Sequence, residues 1–228
     1  AYIDPPTPNH LMTSSDFKII AIDGGAASGK SSTSKKVAAR LNYLHVDTGA
    51  HYRALTHIAL EAKIAPQDET ALSHFLTTLT FETAIEGHEA QMILNGHLPD
   101  QSDIRSEKVN ATVSHFAALP SVRNAIKAYQ RNQATVARNA QFAGLIMDGR
   151  DIGTIIFPDA DLKIFLFADE ATRAARRSNE GQNDTIAERD KLDSARKTAP
   201  LTPAKDAFQI DNSKLTLEQV VDQVIALN

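Results

Sequence analysis

The sequence predicts an α/β fold: a parallel sheet flanked by helices, with a small antiparallel α+β insertion. Three observations predict it. The apolar run Ile19-Ile-Ala-Ile22 leads through Asp23 into Gly24-Gly-Ala-Ala-Ser-Gly-Lys-Ser31, which opens onto a helical pattern. Phe81 to Leu98 then alternates apolar and polar residues, and apolar runs return at Gly144-Leu-Ile-Met147 and Leu162-Lys-Ile-Phe-Leu-Phe167. Isoleucine-rich runs without alternation suit strands covered on both faces, as parallel crossovers require, whereas alternation suits a half-exposed antiparallel pair.

Each element follows from its own stretch of chain. Ala1 to Leu11 holds three prolines and no periodicity, so Met12 is read as the native start and residues 1–17 as a tail or an added remnant. After the first strand and the glycine-rich turn, Lys30 to Leu41 places Val37, Ala38 and Leu41 at helical spacing. Tyr43-Leu-His-Val-Asp-Thr-Gly49 reads as a second short strand running into a turn, then a helix from about Tyr52 to Ala62. Phe81 to Leu98 reads as a hairpin with Asn95-Gly96 as its turn signal. Helical spacing resumes from Glu107 to Ala140, and Pro120 suits the first turn of a new helix within it. The last helix is expected over Thr216 to Leu227. The core therefore takes in 18–65 and 142–228, and the insertion spans 66–141.

Composition narrows the class. The 228 residues, 42% hydrophobic and 23% charged, suffice for one full core plus an appendage. A net charge of -4 argues against generic nucleic-acid binding, and zero cysteines exclude disulfides and thiolate metal sites. No apolar run approaches membrane-spanning length and no signal sequence is visible, so a cytoplasmic enzyme is expected.

Gly24 to Ser31 has the spacing G-x-x-x-x-G-K-[ST] behind a strand and before a helix. Small residues let successive backbone N–H groups turn inward on a polyphosphate, the helix N-terminus adds partial positive charge, and Lys30 reaches the terminal phosphates. Residues Gly24, Gly25, Ala26, Ala27, Ser28, Gly29, Lys30, Ser31 and Ser32 are thus the candidate ATP contacts, with Ser31 or Ser32 offering a hydroxyl to the β-phosphate or its magnesium. A turn that only packs a helix on a strand is the other reading. The Asn-Lys-x-Asp that reads guanine is missing, and the layout does not suggest the larger motor or transporter ATPases. A small kinase remains, whose acceptor is itself an anion. Arginines suit that task because their forks bind phosphate oxygens in pairs and stay charged. Arg53, Arg150, Arg189 and Arg196 fall at expected strand ends and following loops, with Arg176 and Arg177 on a helix.

The residues also resemble a known family. Asp47-Thr-Gly-Ala-His-Tyr-Arg53, Leu94-Asn-Gly96, Asp103-Ile-Arg-Ser-Glu107, Ser114, Pro120-Ser-Val-Arg123, Asp148-Gly-Arg-Asp-Ile-Gly-Thr154, Glu188-Arg-Asp-Lys-Leu-Asp-Ser-Ala-Arg196 and Ala199-Pro-Leu201 are similar, in order, to the bacterial cytidylate kinases. The resemblance implies a phosphate-loop kinase core with an enlarged monophosphate-binding insertion and a short lid at about 177–190, using ATP and magnesium, acting on CMP or dCMP as a monomer. Carried over, Tyr52, Arg53, Arg150 and Arg196 surround the acceptor phosphate, with Thr48 where a serine is common. Ser114, Arg123 and Asp151 read the cytosine edge, and Arg189 with Asp193 holds the ribose. Asp151 as a helix cap and Ser114 as an ordinary helix residue are the alternatives.

Catalysis would fall to Lys30, Arg150, Arg176 and Arg196, with Arg176 and Arg177 closing on the transferring group. Asp148, ending a strand, would orient a magnesium-bound water, or else be a plain turn residue. The segment between Arg177 and Glu188 is shorter than the lid expected of the family. His45, His51 and His57 read as ordinary polar or partly buried side chains. A kinase of UMP, AMP or a metabolite, and a non-catalytic nucleotide-binding regulatory module, are the alternative functions.

Overall fold

The structure is a computed structural model and describes residues 17–179, 186–196 and 199–228; the side chains of 179 and 186–189 also lie outside the description. Residues 1–16, with Met12, and residues 180–185 of the expected lid at about 177–190, fall outside the described residues.

The described chain forms one sheet in the order β3-β4-β2-β5-β1-β6-β7. Its centre is parallel: β1 (Lys18–Gly24) lies between β5 (Gly144–Gly149) and β6 (Leu162–Phe167), and β5 also pairs with β2 (Tyr43–Asp47). Every residue of β5 is buried, as is β1 from Ile20 to Gly24, which is what continuous apolar runs covered on both faces should give. On one face, α1 (Lys30–Leu41) and α9 (Leu217–Leu227) close a core around Ile20, Ile22, Val37, Ile146, Ile164 and Val221. Thr216 begins α9 with a capping box to Gln219. On the other face α6 (Pro120–Asn139) lies over Leu44, Val46, Leu145 and Met147.

A third core lies beyond the sheet's end. There α2 (Thr48–Glu61), α3 (Glu69–Thr77), α5 (Glu107–Ala117) and α6 enclose Leu55, Leu72, Phe116 and Ile126, with Met92 and Leu94 of the hairpin. The short α4 (Gln101–Ile104) contributes Ile104. The hairpin of β3 (Phe81–Glu86) and β4 (Glu89–Leu94) does not stand apart. It extends the main sheet, because β4 runs parallel to β2 at His45↔Glu89 and Val46↔Ala90.

Three local expectations are corrected. The hairpin turns at Gly87-His88, with Glu86 opposite Glu89, and not at Asn95-Gly96. Asn95 and Gly96 instead make a tight turn of their own, with φ of 49° and 76°, closing the single rung Leu94↔His97. Helix α2 starts at Thr48 and not near Tyr52, because the Asp47 carboxylate accepts the N–H of Ala50 at 3.2 Å and caps it there. An edge strand, β7 (Phe208–Asp211), pairs with β6 where the sequence offered no alternation to announce it.

The register places the functional segments. Asp47 and Ile22 both pair with Asp148, so the carboxyl ends of β1, β2 and β5 lie side by side. The glycine-rich loop, the start of α2 and the Arg150-Asp151 segment leave from that one edge, where ligands of open parallel sheets bind.

Candidate functional site

The glycine-rich loop is shaped by what a side chain would strike. A Cβ on Gly24 would lie 2.1 Å from the Leu166 carbonyl oxygen, and Gly29 caps α1 at φ 86°. The loop folds around Lys30, whose Nζ donates to the Gly25 carbonyl at 2.7 Å and to Ser28 Oγ at 3.4 Å. Burial pushes the Lys30 amine down to about 7; Arg150 adds to the fall, and Asp148, Asp47 and Asp23 oppose it. A buried cation beside a second cation is a place where an arriving anion gains most. Ser31 Oγ donates to Asp148 Oδ1 at 2.8 Å, while Ser32 is exposed.

A cavity of about 330 Å³ opens over this loop, lined by Ala26 to Ser32 together with Asp148, Arg53, Arg150 and Arg177. A smaller cavity of about 60 Å³ adjoins it, lined by Thr48, Tyr52, Arg53, Ser114, Arg150, Asp151, Asp193 and Arg196. The two share Gly49, Arg53 and Arg150. The structure thus gathers every expected acceptor residue into the second cavity except Arg123, which lies just behind it, and Arg189, whose side chain is outside the described residues.

The acceptor side is a set of buried ion pairs. Arg123 pairs with Asp151, donates to the Ala117 carbonyl at 3.0 Å and stacks its guanidinium 5.4 Å from the centre of the Tyr52 ring. Burial pushes the Tyr52 hydroxyl up to about 12, so it stays a neutral donor. Asp193 accepts from Arg150 Nε at 2.8 Å through one oxygen and from Arg196 through the other. Arg53, on α2 and not in a loop, donates to Asn110 Oδ1. Asp151 precedes a π-helical turn, Ile152–Ile156, but its side chain does not cap that turn. Its carboxylate is committed to Arg123.

The two arginines of α7 (Glu170–Asn179) part company. Arg177 is buried and lines the phosphate cavity. Arg176 faces the other side of the loop, donating to Asn212 Oδ1 at 3.1 Å and to its carbonyl at 3.0 Å, in a cavity with Thr33, Leu215 and Leu217. The structure therefore does not bring Arg176 together with Lys30, Arg150 and Arg196. Asn212 in turn donates to the Ser28 carbonyl at 2.8 Å, bracing the loop.

Three further residues escaped the sequence reading, and a fourth was read only as an ordinary polar or partly buried side chain. Asp23, 4% exposed, accepts the N–H groups of Ile152 and Gly153, each at 2.8 Å. Asp190, on α8 (Ile186–Ser194), accepts the N–H of Ala26 at 2.9 Å and pairs with Arg173. Asn212 is the third. His45, the fourth, is buried and bonded at 2.7 Å to Asp148 Oδ2, so one carboxylate is held between His45 and Ser31. Their partners are distant in sequence, and only the position of Asp23 directly before the motif was a usable signal. His51 is also buried, its ring edge on Tyr129 at 5.2 Å, and burial pushes its imidazole down to about 4. No cluster of three or more metal-ligating His, Asp or Glu occurs among the described residues, and no described helix is long and apolar enough to cross a membrane.

Residues 20–228 match the family model described as cytidylate kinase. A cytidylate kinase of Geobacillus sp. (strain WCH70) is 44% identical over 91% of this chain and 95% of its own length. Those of Streptomyces avermitilis and Listeria monocytogenes serovar 1/2a are 42% and 41% identical, over 92% and 91% of this chain and 91% and 94% of theirs. Among solved structures, an uncharacterized protein from Eubacterium ventriosum shares the fold, with a TM-score of 0.50 at 14% identity over 92% of this chain and 97% of that one. The chain belongs to the cytidylate kinase family, ATP-dependent nucleoside monophosphate kinases built on a mostly parallel sheet.

Proposed function

We propose that this enzyme transfers the ATP γ-phosphoryl group to CMP or dCMP, with the phosphate loop and Lys30 holding the donor and the arginine pairs holding the acceptor. The observation that carries the reading is the pair of arginines common to both cavities: Arg53 and Arg150 stand where a donor and an acceptor phosphate would meet. The acceptor phosphate has a second pKa near 6, so it is largely dianionic at neutral pH and needs no general base. The protein's task is to align two polyanions that repel each other. Lys30, Arg53, Arg150, Arg177 and Arg196 neutralise them, in a site whose low dielectric makes each charge count.

Base selection falls to Arg123 and Asp151. Cytosine presents an amino donor next to ring and carbonyl acceptors, and the carboxylate and guanidinium complement that order. Uracil reverses one partner and would leave Asp151 facing a carbonyl. Ser114, Thr48 and Tyr52 complete the wall, and Asp193 orients Arg150 and Arg196 toward the phosphate.

For magnesium, the fit lies in Ser31 Oγ and Asp148 Oδ1, two hard oxygens 2.8 Å apart at the base of the donor cavity. Ser31 and Asp148 would together hold the ion, whose chemistry there would be to neutralise phosphate charge. The exposed Ser32 is not so placed. An ATP-coupled assay across CMP, dCMP, UMP and AMP tests the reading: CMP or dCMP should lead in kcat/KM, and a preference for AMP or an inert CMP overturns it.

A further inference from the structure

We infer that Asp23 is a positioning residue for cytosine recognition, tying the strand that carries the phosphate loop to the segment that carries Arg150 and Asp151. The inference rests on the reading of Arg123 and Asp151 as the cytosine contacts.

The geometry is direct. Asp23 is the penultimate residue of β1, paired in register with Gly149 of β5. Its two carboxylate oxygens each accept one N–H, from Ile152 and Gly153, at 2.8 Å. Those two groups open the π-helical turn, whose own bonds start only later, with Ile155 donating to the Asp151 carbonyl at 2.9 Å and Phe157 to the Ile152 carbonyl at 2.7 Å. The first N–H groups of a helical turn have no partner within it, so Asp23 supplies what the turn lacks. Its grip closes on the residue immediately after Asp151. With Ile152 held on one side and Gly149 held in the sheet on the other, Asp151 and Arg150 span a short bridge between two fixed points.

A carboxylate in this place is an expensive choice for stability alone. Burial pushes the Asp23 carboxyl up to about 6 even against the two N–H donors, and the nearby Asp151 charge adds to the rise. A π-helical turn with a buried acidic brace suits a segment held out of regular structure for use, as π-turns at functional sites are. The gain is angular: a pair of parallel bonds fixes both the place and the tilt of the peptide that presents Asp151 to Arg123.

The test is Asp23→Asn, which keeps the shape but turns one acceptor into a donor facing an N–H. Measured against wild type, the KM for CMP should rise about tenfold with kcat within about threefold, and the kcat/KM preference for CMP over UMP should fall about tenfold. ATP affinity, by equilibrium binding, should stay within about twofold, because the loop's own bonds are untouched. A purely structural brace would lower the unfolding midpoint and leave KM and the CMP/UMP ratio alone, and that result overturns the inference. So does an equal loss of ATP affinity. Should the variant not fold, hydrogen exchange on the wild-type protein decides: the Ile152 and Gly153 amides should be protected without ligand and more so with CMP, and free exchange there overturns the inference. If wild type itself shows no preference for CMP over UMP, it is the base-reading assignment that fails, and the Asp23 bonds are not at issue.

Discussion

The donor and acceptor halves of this site are built in opposite ways. The donor half is eight consecutive residues, Gly24 to Ser31, and it is built mainly of backbone: a loop that glycine makes possible at Gly24 and Gly29, folded around Lys30. The acceptor half draws side chains from α2, α5, α6, β5, α8 and the segments that follow, and holds them with buried ion pairs: Arg123 with Asp151, and Arg150 and Arg196 with Asp193. A backbone cradle keeps its shape with a few braces, here Asn212 on the Ser28 carbonyl and Asp190 on the Ala26 N–H. A guanidinium cradle does not, since each unpaired buried arginine would carry a desolvation penalty of several kcal/mol. The carboxylates Asp151 and Asp193 are therefore what lets the acceptor half exist before its anion arrives.

That contrast can be broken at either end. Lys30 is the buried amine at the centre of the donor cradle, and its replacement should give the largest effect. Lys30→Met should cut kcat by about 10³-fold while CMP affinity changes little, because a preorganised charge at the transferring group is lost but the acceptor pairs are not. Single-turnover kinetics together with CMP binding would show it, and an equal fall in CMP affinity would mean the halves are not separable. At the acceptor, Asp193→Asn removes the charge that holds two arginines. It should raise the KM for CMP roughly 30-fold and move ATP affinity less than about threefold. If instead CMP binds more tightly, Asp193 competes with the substrate phosphate and does not position the arginines for it.

The same contrast explains what could be read from the chain. Helix α1 occurs at Lys30–Leu41, where periodicity put it, because the motif, the strand before it and the helix after it are local. Arg53, Arg150 and Arg196 stood out by position as anion ligands, but their separate roles, and Ser114, Arg123, Asp151 and Asp193 altogether, were legible only through resemblance, since no single arginine announces its partner. Arg176 and Arg177 show the limit. Neighbours on a helix point roughly 100° apart, so one reaches the phosphate cavity and the other turns to Asn212. Nothing in the pattern says which. Asn95-Gly96 carries the strongest two-residue turn signal and does turn, but a glycine at φ 57°, Gly87, does the same work for the hairpin with less distinctive neighbours. Strand β7 owes its existence to pairing with β6, and its exposed Phe208 gives no alternation to find. The buried bonds of Asp23, His45 and Asp190 join segments far apart in sequence, which periodicity does not report.

Asp23 joins the two halves, and its titration offers the smallest but cleanest measurement. Its folded carboxyl is raised from 3.8 to about 6, chiefly by burial. The native state thus holds the proton more tightly than the unfolded chain does. The sign follows: Asp23's contribution is most favourable below about pH 4, declines as pH rises, and levels off above about pH 6. The unfolding free energy of wild type minus that of Asp23→Asn should therefore fall by about 1.4 kcal/mol per pH unit across that window. Denaturant titrations of both proteins at matched pH isolate the term, since the other carboxylates cancel in the difference. A difference that rises with pH would mean that the Ile152 and Gly153 N–H groups outweigh burial, making Asp23 an ordinary stabilising cap. A fall means that the fold keeps a charge there at its own expense, as a brace between donor strand and acceptor segment should require.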